Sequence, residues 1–157
     1  MATIMASRKL QLEHAEVQRF HSLAWRHFEA AEVLFKQLSP FERSNLATES
    51  VYLGGYGAEC ILKAKLLSKT KAKRHKRMVE TEFPKTIGHD LELITRLLEK
   101  GKKAVVFDDD VASTFARIRR TWTSTLRYSP KLFTTDEARW FLSNVRFLLK
   151  WAEGGTP

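Results

Sequence analysis

YLGGYGAECILKAKLL, residues 52–67, is the stretch that decides the fold. Its apolar and polar residues do not alternate as those of a half-buried strand would. They continue a helical periodicity that runs through nearly the whole chain. A helix is predicted from about Phe41 or Glu42 to Ser68. Gly54, Gly55 and Gly57 lie inside it, each costing roughly 1 kcal/mol against alanine. Close approach of another helix, or of a ligand, is the usual compensation. Glu59 and Lys63 stand four residues apart on one face. On a polar face such a pair is a surface ion pair worth about 0.2–0.5 kcal/mol. Here the flanking Tyr56, Cys60, Ile61, Leu62, Ala64, Leu66 and Leu67 are apolar or nearly so, which predicts partial burial. Buried charge is costly unless paired, and it often marks a site. A structural ion pair and a functional site are both open at this point.

Outward from this helix, four more are predicted. The first runs from about Arg8, capped by Ser7, to Leu38, and Ser39-Pro40 ends it. Its apolar residues, among them Val17, Phe20, Ala24, Ala31 and Phe35, recur at three- and four-residue spacings. A third helix spans Asp90 to Gly101, with the glycine as a left-handed C-terminal cap. A fourth runs from Asp109 to Thr125, with the acids at 108–110 facing its positive end. The last opens on Thr134 with Glu137 three residues on, a capping box, and ends near Glu153. The expected fold is all-α, an up-down helical bundle of four to five helices. It forms a single domain over residues 1–157, with a basic loop at about 69–88. The first two helices should form an antiparallel hairpin, and most of Trp122, Trp140 and Trp151 should anchor the core or a dimer seam.

Composition narrows the class. A chain of 157 residues with 43% apolar and 29% charged residues is one globular domain rather than a disordered or fibrous chain. The single cysteine, Cys60, excludes an internal disulfide and a cysteine-based zinc site within one chain. No apolar run approaches the roughly 20 residues that span a bilayer, and Met1–Leu12 has no signal-peptide core. A cytoplasmic protein without membrane association is expected, and no metal or cofactor is called for. The net charge is +9, which favours anionic partners such as nucleic acid, nucleotides or an acidic protein. Six of those charges, Lys69, Lys71, Lys73, Arg74, Lys76 and Arg77, fall in one run, KTKAKRHKR. No aromatic residue interleaves them, so the run offers phosphate contacts without base stacking. A solvated loop is the plainer reading.

Two further places carry candidate chemistry. His89-Asp90 follows Gly88 at a helix start, where Asp90 is best read as an N-cap. His89 beside it is either a loop residue, a proton donor or a phosphate contact. Arg119, Arg120, Arg127 and Tyr128 surround the end of the fourth helix. There an arginine suits the helix dipole or can fork onto phosphate. There is no phosphate loop of the GxxxxGK[ST] type and no HExxH, and GGYG lacks the strand that precedes a dinucleotide fingerprint.

Taken in order, GGYGAECILKAKLL, GHDLELI and WTSTLRYSP on a helical chain of this size resemble the HEPN family, the higher eukaryotes and prokaryotes nucleotide-binding domain. The closest likeness is to prokaryotic stand-alone members with a pattern like GYxxExxLKA…HDL…RY, over roughly Trp25 to Trp151. The resemblance implies a helical bundle, often a homodimer, that acts on or binds RNA or nucleotides. Some members are metal-independent ribonucleases of toxin–antitoxin or phage-defence systems. Others are non-catalytic binding or scaffold subunits, working with a nucleotidyltransferase or antitoxin partner. Carried over residue by residue, Glu59, Lys63, His89 and Arg127 take the catalytic places. Asp90 and Tyr128 take the binding places, and the basic run Lys69 to Arg77, read from its charge rather than from the resemblance, joins them. Active members also carry an arginine followed by four to six residues and a histidine. After Arg127 this chain reads YSPKLFT, with no histidine, so ribonuclease and binding module both remain as expectations.

Overall fold

The computed structural model describes residues 9–38 and 45–155. Among them are six helices and no strand: α1 (Ala15–Phe35), α2 (Asn45–Ser68), a single turn α3 (His75–Arg77), α4 (Leu91–Leu98), α5 (Asp109–Thr121) and α6 (Thr135–Ala152). The four long helices alternate in direction. Gln11 N–H donates to Ser68 Oγ at 2.9 Å, while Gly57 lies against Ala24 and Phe28, so α1 and α2 run antiparallel. Gly54 meets Phe141 and Leu142, and Lys65 Nζ donates to the Ala152 carbonyl at 3.0 Å, so α2 and α6 are parallel. Phe115 faces Trp151 and Arg117 covers Trp140, which sets α5 antiparallel to α6. The expected up-down arrangement follows, with α2 at its centre. No described helix is long and apolar enough to cross a membrane.

α2 is central because nearly every face of its C-terminal half is buried, from Gly57 to Ser68. The glycines make this possible. A Cβ on Gly55 would lie 2.0 Å from Trp122 Nε1, and one on Gly54 would lie 2.6 Å from Leu142. The indole N–H in turn donates to the Tyr52 carbonyl at 2.9 Å. Neighbouring side chains, rather than a ligand, therefore compensate the cost of these glycines. Trp122 and Trp151 are core anchors, whereas Trp140 is 47% exposed beneath the Arg117 guanidinium.

Helix ends follow their caps. Thr134 Oγ1 accepts from Glu137 N–H at 3.1 Å and Thr134 N–H donates to the Glu137 carboxylate at 2.8 Å, the predicted capping box. Asp108 and Asp90 cap α5 and α4 through Val111 N–H and Leu93 N–H, each at 2.9 Å. α5 stops at Thr121, before the predicted Thr125, because Trp122 turns to extended backbone to reach α2. A 3₁₀ turn, Ser124–Tyr128, follows. α4 ends at Leu98, short of Gly101, where the Lys69 ammonium takes the carbonyls of Leu97 and Leu98 at 2.8 and 2.9 Å. α1 is shorter than the predicted Arg8 to Leu38: residues 9–14 are not helical, and the helix runs only from Ala15 to Phe35. The expected caps at Ser7 and Ser39-Pro40, with Arg8 and Phe41-Glu42, lie outside the described residues.

The segment read as a basic loop is mostly helical. A 3₁₀ turn (Ala72–Arg74) leads into α3, and a π-helical stretch (Met78–Ile87) follows. The apolar residues Met78, Phe83 and Ile87 are buried. Their spacings of five and four suit the wider π turn. His75, inside the charge run, is itself buried. Its Nε2–H donates to the carbonyls of Leu67 and Thr70 at 2.8 and 3.0 Å, closing the end of α2.

Candidate functional site

One row of polar residues on α2 runs through positions 45, 49, 52, 56, 59 and 63, spacings of four and three that place them on one face. Asn45 and Glu49 are exposed, Tyr52 and Tyr56 half-buried, and Glu59 and Lys63 buried. At the buried end, Lys63 Nζ donates to Glu59 Oε1 at 2.6 Å and sits 5.2 Å from the Phe83 ring centroid. The other carboxylate oxygen, Oε2, lies 2.9 Å from His89 Nδ1. A carboxylate only accepts, so Nδ1 carries the hydrogen and donates it. Glu59 thus holds both the ammonium and the imidazole, and His89 Nε2 is left unengaged by that bond. The burial contrast is sharp: the Glu59 side chain is 4% exposed and that of His89 51%.

His89 stands at the lip of a groove of about 530 Å³, where Arg119, Arg120, Trp122, Thr123 and Ser124 also line the wall. Neither arginine has an acidic partner within ion-pair distance among the described residues. Glu92, on the same groove, pairs with Arg96, and Asp90 is occupied as the α4 cap. The groove therefore joins one carboxylate-oriented imidazole, two guanidiniums and two hydroxyls.

Tyr56 links this groove to the rest of the α2 face. Its ring meets those of His89, Trp122 and His27 at centroid distances of 5.6, 5.2 and 5.7 Å. Its hydroxyl is 2.9 Å from that of Tyr52. Burial, reinforced by the Tyr52 hydroxyl, pushes the Tyr56 phenol well above its usual range. Burial also lowers the His27 imidazole, with Arg26 adding and Glu59 opposing. Beyond Tyr52 lies a second, smaller pocket of about 230 Å³ that includes Arg127.

Of the residues picked from sequence, Glu59, Lys63 and His89 are brought together, with Asp90 beside them. Arg127 and Tyr128 stand on the far side of the tyrosine pair, and neither lines the His89 groove. The basic run is elsewhere. Lys69 binds α4 carbonyls, Arg74 and Arg77 pair with Glu82 at 3.6 and 3.7 Å, and Lys71, Lys73 and Lys76 are exposed. Sequence reasoning passed over Tyr52, Tyr56 and His27. The four-and-three spacing on α2 was the available signal for the tyrosines, but for His27, on another helix, there was none. Among the described residues, no three histidine, cysteine or acidic side chains gather where a metal ion could be held.

No family model, curated protein or solved structure matches the chain.

Proposed function

We propose that this is an RNA-directed protein of HEPN-like type whose phosphodiester site is the His89 groove, and that it cleaves RNA without a metal ion. The observation that carries the reading is the Glu59–His89 pair at the lip of a groove lined by Arg119 and Arg120. RNA cleavage by transesterification needs a base near the 2′-hydroxyl and cations at the phosphorus. Glu59 fixes the imidazole tautomer so that Nε2 accepts the 2′-hydroxyl proton, much as the carboxylate of a catalytic triad orients its histidine. The 2′-oxygen then displaces the 5′-oxygen at phosphorus, leaving a 2′,3′-cyclic phosphate. The departing 5′-oxygen takes a proton from water in the open groove. Arg119 and Arg120 neutralise the charge that grows on the phosphorane oxygens. Lys63 does not line the groove; its hydrogen bond holds the Glu59 carboxylate in place.

The test is cleavage of a labelled RNA in EDTA by the wild type, His89→Ala and Arg119→Ala/Arg120→Ala. Wild-type cleavage yielding a cyclic phosphate, lost by 10²-fold or more in His89→Ala, is expected. Intact RNA at high protein concentration, across a broad pH range, would defeat the catalytic reading. A second reading, binding without cleavage, draws on one observation: Arg127 does not line the His89 groove. The same assay separates the two, because RNA then shifts on a gel at low salt without being cut. A homodimer, or a nucleotidyltransferase or antitoxin partner, is compatible with either reading, and co-purification tests it.

A further inference from the structure

We infer that the pocket beside Arg127 and the exposed Tyr128 ring form a second nucleotide subsite, which makes the chain selective for single-stranded RNA. The proposal rests on the reading above, in that the His89 groove receives the phosphate next in line.

Three observations carry it. First, the pocket of about 230 Å³ gathers Glu49, Tyr52, Arg127, Ser129 and Lys131. Drug-sized ligands fill roughly 300–1,000 Å³, so this space suits one base or phosphate rather than a whole strand. Second, Tyr128 is 75% exposed, and the guanidinium of Arg127, which lines the pocket, covers its ring at 4.7 Å from the centroid. An aromatic ring supported by an arginine and otherwise in solvent is a stacking platform, the device by which proteins hold unpaired bases. Third, the tyrosine pair bridges the two pockets: Tyr52 lines the smaller one, its hydroxyl meets that of Tyr56, and the Tyr56 ring meets His89, which lines the larger. One strand can therefore cross from Tyr128 to His89 along the polar face of α2. A duplex cannot use this path, because its bases are already stacked and its wide minor groove presents no splayed base.

Arg127 and Lys131 take the backbone phosphate, and Glu49 and Ser129 offer polar contacts to a base edge. The Tyr52 hydroxyl is already bonded to Tyr56 and acts as wall.

Fluorescence anisotropy with a 2′-O-methyl single strand, which cannot be cleaved, tests the subsite apart from the chemistry. Parallel arms use the same sequence as a blunt duplex and a nucleoside 5′-monophosphate. The single strand should bind at least 10-fold more tightly than either. Tyr128→Leu should weaken it about 10-fold, the order of one lost base stack, and Tyr128→Phe should restore it. Arg127→Lys should weaken it despite keeping the charge, since an ammonium neither forks nor stacks in the same way. Lys102→Ala, the loss of one surface charge in another loop, measures the general electrostatic background. All the altered side chains are exposed, so the bundle is kept. Equal affinity for strand and duplex, strand-like affinity for the monophosphate, or a Tyr128→Leu variant that binds as the wild type would overturn the proposal. Tyr128-dependent strand binding without any RNA cleavage supports the subsite while removing the ribonuclease reading.

Discussion

Two concentrations of charge sit at opposite ends of the same stretch of chain, and they behave differently. The run Lys69 to Arg77 carries six cations, yet half of them serve the fold: Lys69 caps α4, and Arg74 and Arg77 straddle Glu82. The buried end of the polar face of α2 carries Glu59 and Lys63 alone, and one of them reaches His89. The number of charges predicts long-range attraction. The cost of burying them predicts where geometry is tightly held. The quiet pair is thus the better guide to chemistry, and the loud run to encounter.

The largest effect should come from breaking the quiet pair. Lys63→Met leaves the Glu59 carboxylate buried with His89 as its one remaining hydrogen-bond partner among the described residues. Removal of one member of a buried pair costs about 3–5 kcal/mol. The same exchange at Lys73, on the exposed run, should stay within about 0.5 kcal/mol. Urea unfolding of the two variants measures the contrast directly. The double variant Glu59→Leu/Lys63→Met should recover most of the loss, because no unpaired charge is left behind. A loss below ~1 kcal/mol for Lys63→Met would erase the difference between the two regions.

A second buried lysine gives a pH-dependent version. Lys65, two residues beyond Lys63, is 3% exposed, with its ammonium on the Ala152 carbonyl and 5.3 Å from the Trp151 ring centroid. Burial lowers its pKa from 10.5 to about 8. Below about pH 8 the folded chain must bury a charge. Between pH 8 and 10.5 the unfolded chain keeps a proton that the folded chain has released, so stability rises with pH across that interval. The gain is on the order of 3 kcal/mol. Lys65→Met should flatten the rise, read as the difference between the two unfolding curves from pH 7.5 to 10.

Much of this arrangement was legible in the sequence, and the rest was hidden for physical reasons. Helical spacing gave the bundle, and Thr134 with Glu137 marked the start of α6. The i, i+4 spacing of Glu59 and Lys63 within apolar neighbours announced their burial. What spacing could not supply was His89 as the third member, thirty residues on, because the π-helical stretch that delivers it was masked by charge. In that stretch the five-residue step from Met78 to Phe83 breaks the helical period, and neither it nor the four-residue step to Ile87 shows the alternation of a strand. The glycines announced a close approach but not its identity. At Gly55 it is Trp122, from the far end of α5, that fills the space, and in doing so it ends α5 early.

Smaller effects sharpen the comparison within the basic run itself. Lys69→Ala removes charge-assisted hydrogen bonds to the end of α4 and should cost about 1–2 kcal/mol, with α4 amides exchanging faster than those of α2. Converting Lys71, Lys73 and Lys76 together to glutamine should change stability by no more than about 0.5 kcal/mol per site. If these three carry the encounter with RNA, each phosphate they neutralise releases a counterion. The slope of log affinity against log salt for a single strand should then fall by about 2. Cleavage of bound RNA should be unaffected, because none of the three lines the His89 groove. An unchanged slope would reduce the run to a solvated surface stapled down by Lys69, Arg74, Arg77 and His75. An altered rate for bound RNA would instead bring the run into the site and end the division between encounter and chemistry.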